Sequence, residues 1–224
     1  MKSLFILLWD EFRGFAKSKT VIALWIGMPL VVIVMHFLNP VQGDFPMTLF
    51  SGVVIASIGG LLAAVILSST MANEINANVY ALFLIRPVKR WQIIIAKYIA
   101  FMFSLTIAAL LSFTSGIIVD LIQSTLPSEV FKAIISYSFE NLLISLSAMS
   151  IACAAGLVIG MLVKSVAMAV ILSIYLGQQL SVIAILPGYF LKNVDPWLFS
   201  IGIGLAATVI ILSLGIFVFQ KKQF

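Results

Sequence analysis

Residues 73–97 read NEINANVYALFLIRPVKRWQIIIAK and hold Arg86, Lys89, Arg90 and Lys97, four of the thirteen basic residues of a 224-residue chain in which only 9% of positions are charged. The stretch separates two long apolar runs, so its reading decides how the chain is organised. Asn73 can cap a helix, Glu74 then stands at the positive end of the helix dipole, and Ile75, Val79, Leu82 and Phe83 recur at i, i+4, i+7 and i+8. The spacing predicts a short amphipathic helix over about 74–86. Pro87 disfavours helical geometry at Arg86, which ends the helix and leaves Arg86 where a cation suits the dipole. Val88, Lys89 and Arg90 turn the chain. Trp91 and Tyr98 suit a membrane interface, and Lys97 is expected to snorkel to the headgroups from the start of the next apolar run. A capped amphipathic helix needs a surface, and three are available to it: the headgroup layer, the chain's own membrane domain, or a groove on a cytoplasmic partner.

Working outward, hydrophobic residues fill 62% of the chain. Six apolar windows, at about 21–38, 49–70, 97–119, 139–162, 166–186 and 197–219, reach or approach the roughly 20 residues of helix that cross a hydrocarbon core. The fold class is therefore all-α: a polytopic membrane protein with six transmembrane helices, an N-terminal amphipathic helix and a cytoplasmic loop helix. What remains outside the spans is too short for a soluble domain. In residues 1–20, Asp10, Glu11 and Arg13 interrupt the apolar stretch and no small-residue cleavage site follows, so the segment is expected to be retained rather than removed as a signal peptide. Leu4, Leu8, Phe12 and Phe15 fall on one helical face, with Asp10, Arg13 and Lys17 elsewhere, as in a helix lying along the membrane surface. A plain cytoplasmic extension of the first span is the alternative. Cys153, the single cysteine, and His36, the single histidine, can form neither a disulfide framework nor a metal cluster.

With six spans both termini share one side, and that side carries every Lys and Arg except Lys132 and Lys192. The positive-inside rule places it in the cytoplasm. Asp44, Asp120, Glu129, Glu140 and Asp195 fall on the outer side. The net charge of +5 thus reports topology and contact with anionic headgroups, and no nucleic-acid partner is expected.

An acid just after the second span, an apolar run into Leu84, Ile85, Arg86, Pro87, Val88, Lys89 and Arg90, and then Ile93 and Lys97 at the third span resemble the cytoplasmic loop of ABC-2 type transporter permeases. The layout of an amphipathic N-terminal helix followed by six spans is similar as well. The resemblance implies an interfacial helix over 1–20, an ABC-2 type transmembrane domain over 21–224, and a coupling helix over about 74–86 that docks on a separate ATP-binding subunit. Glu74, Phe83, Arg86, Pro87 and Arg90 would dock and hinge, with Val79 and Leu82 on the apolar stripe and Lys164 beside them. Where the family often shows a basic residue and a Gly-Thr pair after the acid, this chain has Asn76, Ala77 and Asn78. No enzymatic activity is expected of the chain, because no phosphate-binding GxxxxGK[ST] loop is present: Gly160 to Ser165, GMLVKS, has Val163 in place of the glycine before lysine. ATP and magnesium would belong to the partner, and no cofactor or metal to this chain.

Two spans carry small residues every fourth position, Gly52, Ala56, Gly60 and Ala64 in the second and Ala148, Ala152, Gly156 and Gly160 in the fourth. Such faces let backbones approach closely, within one bundle or at a subunit interface, and the first is the simpler expectation. Gln178 and Gln179 lie inside the fifth span, where an amide facing lipid is costly. Either they line a pathway, as the resemblance implies, or they bond another helix. Ser68, Ser69 and Thr70 can bond their own helix carbonyls and so carry little information. Pro187, Gly188, Asp195, Pro196 and Trp197 bracket an outer break, a lid in the family or a plain loop. The function implied is the permease subunit of an ATP-binding cassette exporter in a cytoplasmic membrane, acting as a homo- or heterodimer. The alternative is a secondary transporter, although neither paired midplane ionisable groups nor an internal repeat is visible. An intramembrane hydrolase is disfavoured, since there is no second histidine and no G-x-S-x-G elbow.

Overall fold

A computed structural model of the chain describes residues 2–38, 51–52, 55–77, 79, 89–123, 128–185 and 195–221. Every element among them is helical: α1 (Lys2–Lys17), α2 (Lys19–Leu38), a π-helical turn (Ile55–Gly59) that runs into α3 (Gly60–Asn76), α4 (Arg90–Gln123), α5 (Ser128–Leu162), α6 (Val166–Ile185) and α7 (Pro196–Lys221). Five stretches, Lys19–Leu38, Ser57–Asn76, Trp91–Ile122, Ser138–Leu162 and Trp197–Gln220, are long and apolar enough to cross a membrane. The remaining predicted window coincides with α6, whose apolar stretch among the described residues is the shorter Val166–Gly177.

The helices outrun the apolar windows. α4 begins at Arg90, not near 97, because Gln92 Oε1 reaches back to accept from the Lys89 N–H at 3.2 Å, half of a capping box that starts the helix ahead of its apolar run. At its other end Asp120, expected beyond the span, lies within α4 and is 7% exposed. Pro196 opens α7 as its first residue, where its missing N–H costs nothing, and the Asp195 carbonyl accepts from the Phe199 N–H at 3.3 Å.

The core sits around α5, 78% of whose apolar window is buried, against 17% for that of α7 and 22% for that of α2. α3, α6 and α7 pack on α5, while α1 and α2 pack on α4. Contact partners show the chain direction of each helix. Gly60, Ala64 and Ser68 of α3 approach Ala152, Gly156 and Gly160 of α5, so both indices rise together and the helices run parallel. α7 runs parallel to α5 as well, with Gly204 against Ser147 and Gly215 against Val158. In α2 and α4, Trp25 Nε1 donates to the Ser104 carbonyl at 2.9 Å and Met28 O lies against Ser112, again in parallel. α6 runs against its neighbours, with Ser173 on Ser68 and Gly177 on Ala64. α3, α5 and α7 therefore share one direction and α6 opposes them, while α2 and α4 share a direction with each other.

The two small-residue stripes meet each other inside the bundle, as the simpler expectation had it. A Cβ on Gly156 would lie 2.7 Å from the Ala64 Cα, and one on Gly160 would lie 2.9 Å from the Ser68 Cα. Backbone thus touches backbone, which is how helices gain contact where lipid removes the hydrophobic drive. Short hydroxyl pairs add polar ties: Ser68 Oγ to Ser173 Oγ at 2.9 Å, Ser147 Oγ to Ser200 Oγ at 3.0 Å, and Ser150 Oγ to Thr208 Oγ1 at 3.1 Å. Ser68, Ser69 and Thr70 do bond their own helix carbonyls, yet Ser68 also crosses to α6, a tie that sequence reading missed.

Candidate functional site

The opening stretch begins in the last turn of α3 and ends within α4, and its two ends are held together. Asn73 and Glu74 do not begin a new helix. They lie in the last turn of α3, which continues to Asn76 and closes as the Ala77 N–H donates to the Asn73 carbonyl at 2.9 Å. Glu74 therefore stands at the negative end of a helix, not the positive end, and needs a cation. Lys97 supplies it. The Lys97 ammonium donates to Glu74 Oε1 at 2.5 Å and lies 3.2 Å from Glu11 Oε2 of α1. It does not snorkel, because only 3% of its side chain is exposed and two carboxylates hold it inside. Its ammonium also lies 5.6 Å from the centre of the Phe15 ring.

This cluster gives α1 a defined seat. Phe12 packs edge-on against Phe103 at 5.2 Å between centroids, and Phe15 tilts against Phe101 at 5.2 Å. Of the apolar face expected to lie along the membrane surface, Phe15 is buried and Leu4, Leu8 and Phe12 are half-buried within the protein, while Asp10, Arg13 and Lys17 are exposed. Phe5, Ile6 and Trp9 are exposed on another side, so α1 presents one apolar face to α4 and a second to its surroundings. Two carboxylates share one ammonium in a nearly dry site, and burial pushes the Glu11 carboxyl above its usual range, with Lys97 pulling it down and Glu74 and Asp10 pushing it further up.

At the same end, Asn76 Nδ2 donates to the Lys164 carbonyl at 2.9 Å. That bond joins the end of α3 to the turn between α5 and α6, and the Lys164 side chain is exposed there. Glu74 and Lys164, both assigned to the coupling surface, thus lie on one end of the bundle. Val79 is half-buried, and Arg90 is the first residue of α4. Leu82, Phe83, Arg86 and Pro87, and with them most of the predicted coupling helix, lie outside the described residues, as do Pro187 and Gly188 of the outer break.

Gln178 and Gln179 both fall on α6. Gln179 is exposed, and among the described residues none bonds its amide. Met168, Ile171 and Tyr175 are exposed at helical spacing on the same face, so a phenol and an amide stand on an outward face of an otherwise apolar helix. Tyr98, expected at the interface, is half-buried with its hydroxyl 3.5 Å from the Ser150 carbonyl. Sequence reading missed Glu11 and Tyr175. For Glu11 a signal existed: an acid on the half-buried face of an amphipathic helix needs a partner.

No protein-family model matches the chain, and no curated protein matches it in sequence.

Proposed function

We propose that the chain is the membrane-spanning permease subunit of an ATP-binding cassette exporter. On this reading it crosses the cytoplasmic membrane six times with both termini inside, α6 serving as the fifth span. It works as a homo- or heterodimer, and a separate subunit binds ATP and magnesium.

The observation that carries the reading is the tie between α3 and α4 on either side of residues 78–88. Glu74 in the last turn of α3 and Lys97 in the second turn of α4 are ion-paired, and Asn76 bonds the Lys164 carbonyl in the neighbouring turn. Two helices tied in this way would move together when the segment that links them is pushed. Residues Val79, Leu82, Phe83, Arg86, Pro87 and Arg90 would then form the surface that meets the ATPase, with Lys164 beside them. The outward Tyr175 and Gln179 support a pathway between two copies, since polar groups on a span face are costly against lipid and inexpensive against a wet cavity.

A secondary transporter is the competing reading, and the buried Asp120 inside α4 is the observation that favours it. One experiment separates the two. The tagged chain is extracted from native membranes in mild detergent and its co-purifying proteins are identified, for wild type and Phe83→Asp. A nucleotide-binding ATPase recovered with wild type and lost with the variant supports the permease. Recovery of no ATPase overturns it, while full ATP-dependent transport by Phe83→Asp overturns the coupling-helix assignment.

A further inference from the structure

α1 packs one face on α4 and leaves a second face uncovered, and the uncovered face changes character along its length. Phe5, Trp9, Arg13 and Lys17 recur at every fourth position and all are exposed, so they form one ridge, apolar in its first half and cationic in its second. Ile6 widens the apolar half. Beyond Lys17 the chain turns through a single residue: the Ser18 N–H donates to the Phe15 carbonyl at 3.0 Å, and the Ser18 carbonyl accepts from the Val21 N–H at 3.1 Å and the Ile22 N–H at 3.0 Å. This short break places exposed Lys19 close to Lys17, at the start of α2, a helix long and apolar enough to cross a membrane. Among the described residues Arg13, Lys17 and Lys19 form no ion pair, the pairs there being those of Lys97. Asp10 is the exposed acid on α1, so the exposed cations outweigh it.

Water suits the cationic half of this ridge and not Phe5, Ile6 and Trp9; acyl chains suit the apolar half and not the cations. An amphiphile with a negative headgroup suits both halves at once, and such molecules surround the end of a membrane span. We propose that the ridge is a binding site for an anionic phospholipid. Its phosphate lies against Arg13 and Lys17, with Lys19 beside them, and its acyl chains lie against Phe5, Ile6 and Trp9. The Arg13 guanidinium can take two phosphate oxygens in a fork, which a lysine cannot. Trp9, whose ring centre is 6.2 Å from that of half-buried Phe12, stands between the two halves, where an indole suits the boundary of headgroup and hydrocarbon. An acidic protein surface would answer the cations and leave the apolar half unmatched. The site lies on α1 and the start of α2, so it stands apart from the permease reading and from whatever the 78–88 segment meets.

The test places the full chain in nanodiscs of phosphatidylcholine that carry a minor share of brominated lipid, either phosphatidylglycerol or phosphatidylcholine. Brominated acyl chains quench an indole that they touch, and the Trp9 contribution is the difference between wild type and Trp9→Phe. Phosphatidylglycerol is expected to quench Trp9 at a lower mole fraction than phosphatidylcholine. Arg13→Gln and Lys17→Gln should each reduce that preference about fivefold. Phe5→Ser should weaken quenching by both lipids and leave their ratio unchanged. Lys164→Gln, the same charge change on a distant exposed side chain, should behave as wild type. All the substituted side chains are exposed, so the variants are expected to fold. Equal quenching by the two lipids, a wild-type preference in the Arg13→Gln and Lys17→Gln double variant, or an equal loss in Lys164→Gln overturns the site. Relief of quenching by soluble glycerophosphoglycerol overturns it as well, since the ligand would then be a free phosphodiester. Protection of Trp9 from both brominated lipids would mean that protein covers the ridge, which overturns it too.

Discussion

Gly156 of α5 lies so close to Ala64 of α3 that a Cβ built on it would stand 2.7 Å from the Ala64 Cα. The obstacle is backbone, which cannot rotate aside, so Gly156→Ala must push two parallel helices apart. The expected cost is about 1–3 kcal/mol, comparable to other overpacked cores. Gly202→Ala is the control, because nothing lies within 4 Å of its added methyl. Thermal unfolding in one detergent should lower the midpoint for Gly156→Ala and leave Gly202→Ala level with or slightly above wild type.

Lys97→Met removes the cation that bridges Glu11 and Glu74. Breaking a buried pair in this way typically costs about 3–5 kcal/mol. Glu11→Gln removes the carboxylate with the longer contact and should cost much less. Reversible unfolding in mixed micelles compares the two. Equal losses would mean that the Glu11 contact weighs as much as the whole Lys97 bridge.

The pH dependence has a definite sign. Because the Glu11 carboxyl is raised above its ordinary value of 4.5, the folded chain holds that proton more tightly than the unfolded one. The stabilisation from this group is complete below that ordinary value and is lost as pH rises through the raised one. Unfolding free energy measured across this window should fall with rising pH in wild type and become flatter in Glu11→Gln.

Ser68 and Ser173 form a buried hydroxyl pair at 2.9 Å between α3 and α6, and each also bonds a carbonyl of its own helix. The own-helix bonds survive when either partner is truncated, so the coupling should be small. A double-mutant cycle of Ser68→Ala and Ser173→Ala is expected to give about 0.6 kcal/mol and no more than about 1.7 kcal/mol. A larger value would show that the pair polarises the rest of the α3 and α6 contact.

Much of this protein was legible in its sequence. Runs of apolar residues near the length of a bilayer core specify helices, since buried backbone must bond within its own segment. The glycine and alanine stripes of 52–64 and 148–160 also announced a close contact, because few other residues let backbones touch. Tertiary structure alone decided which faces meet. α6 is apolar over most of its length, so no 3.6-residue stripe distinguishes its buried side from its outward side. Nor could spacing reveal that Glu11 and Glu74 share Lys97, for the three residues belong to three helices and are joined only when α1 folds back onto α4. The sequence put Lys97 at an interface because a lysine beside an apolar run usually snorkels. The fold buried it because two acids, one of them at the negative end of α3, made a cation there less costly than its absence.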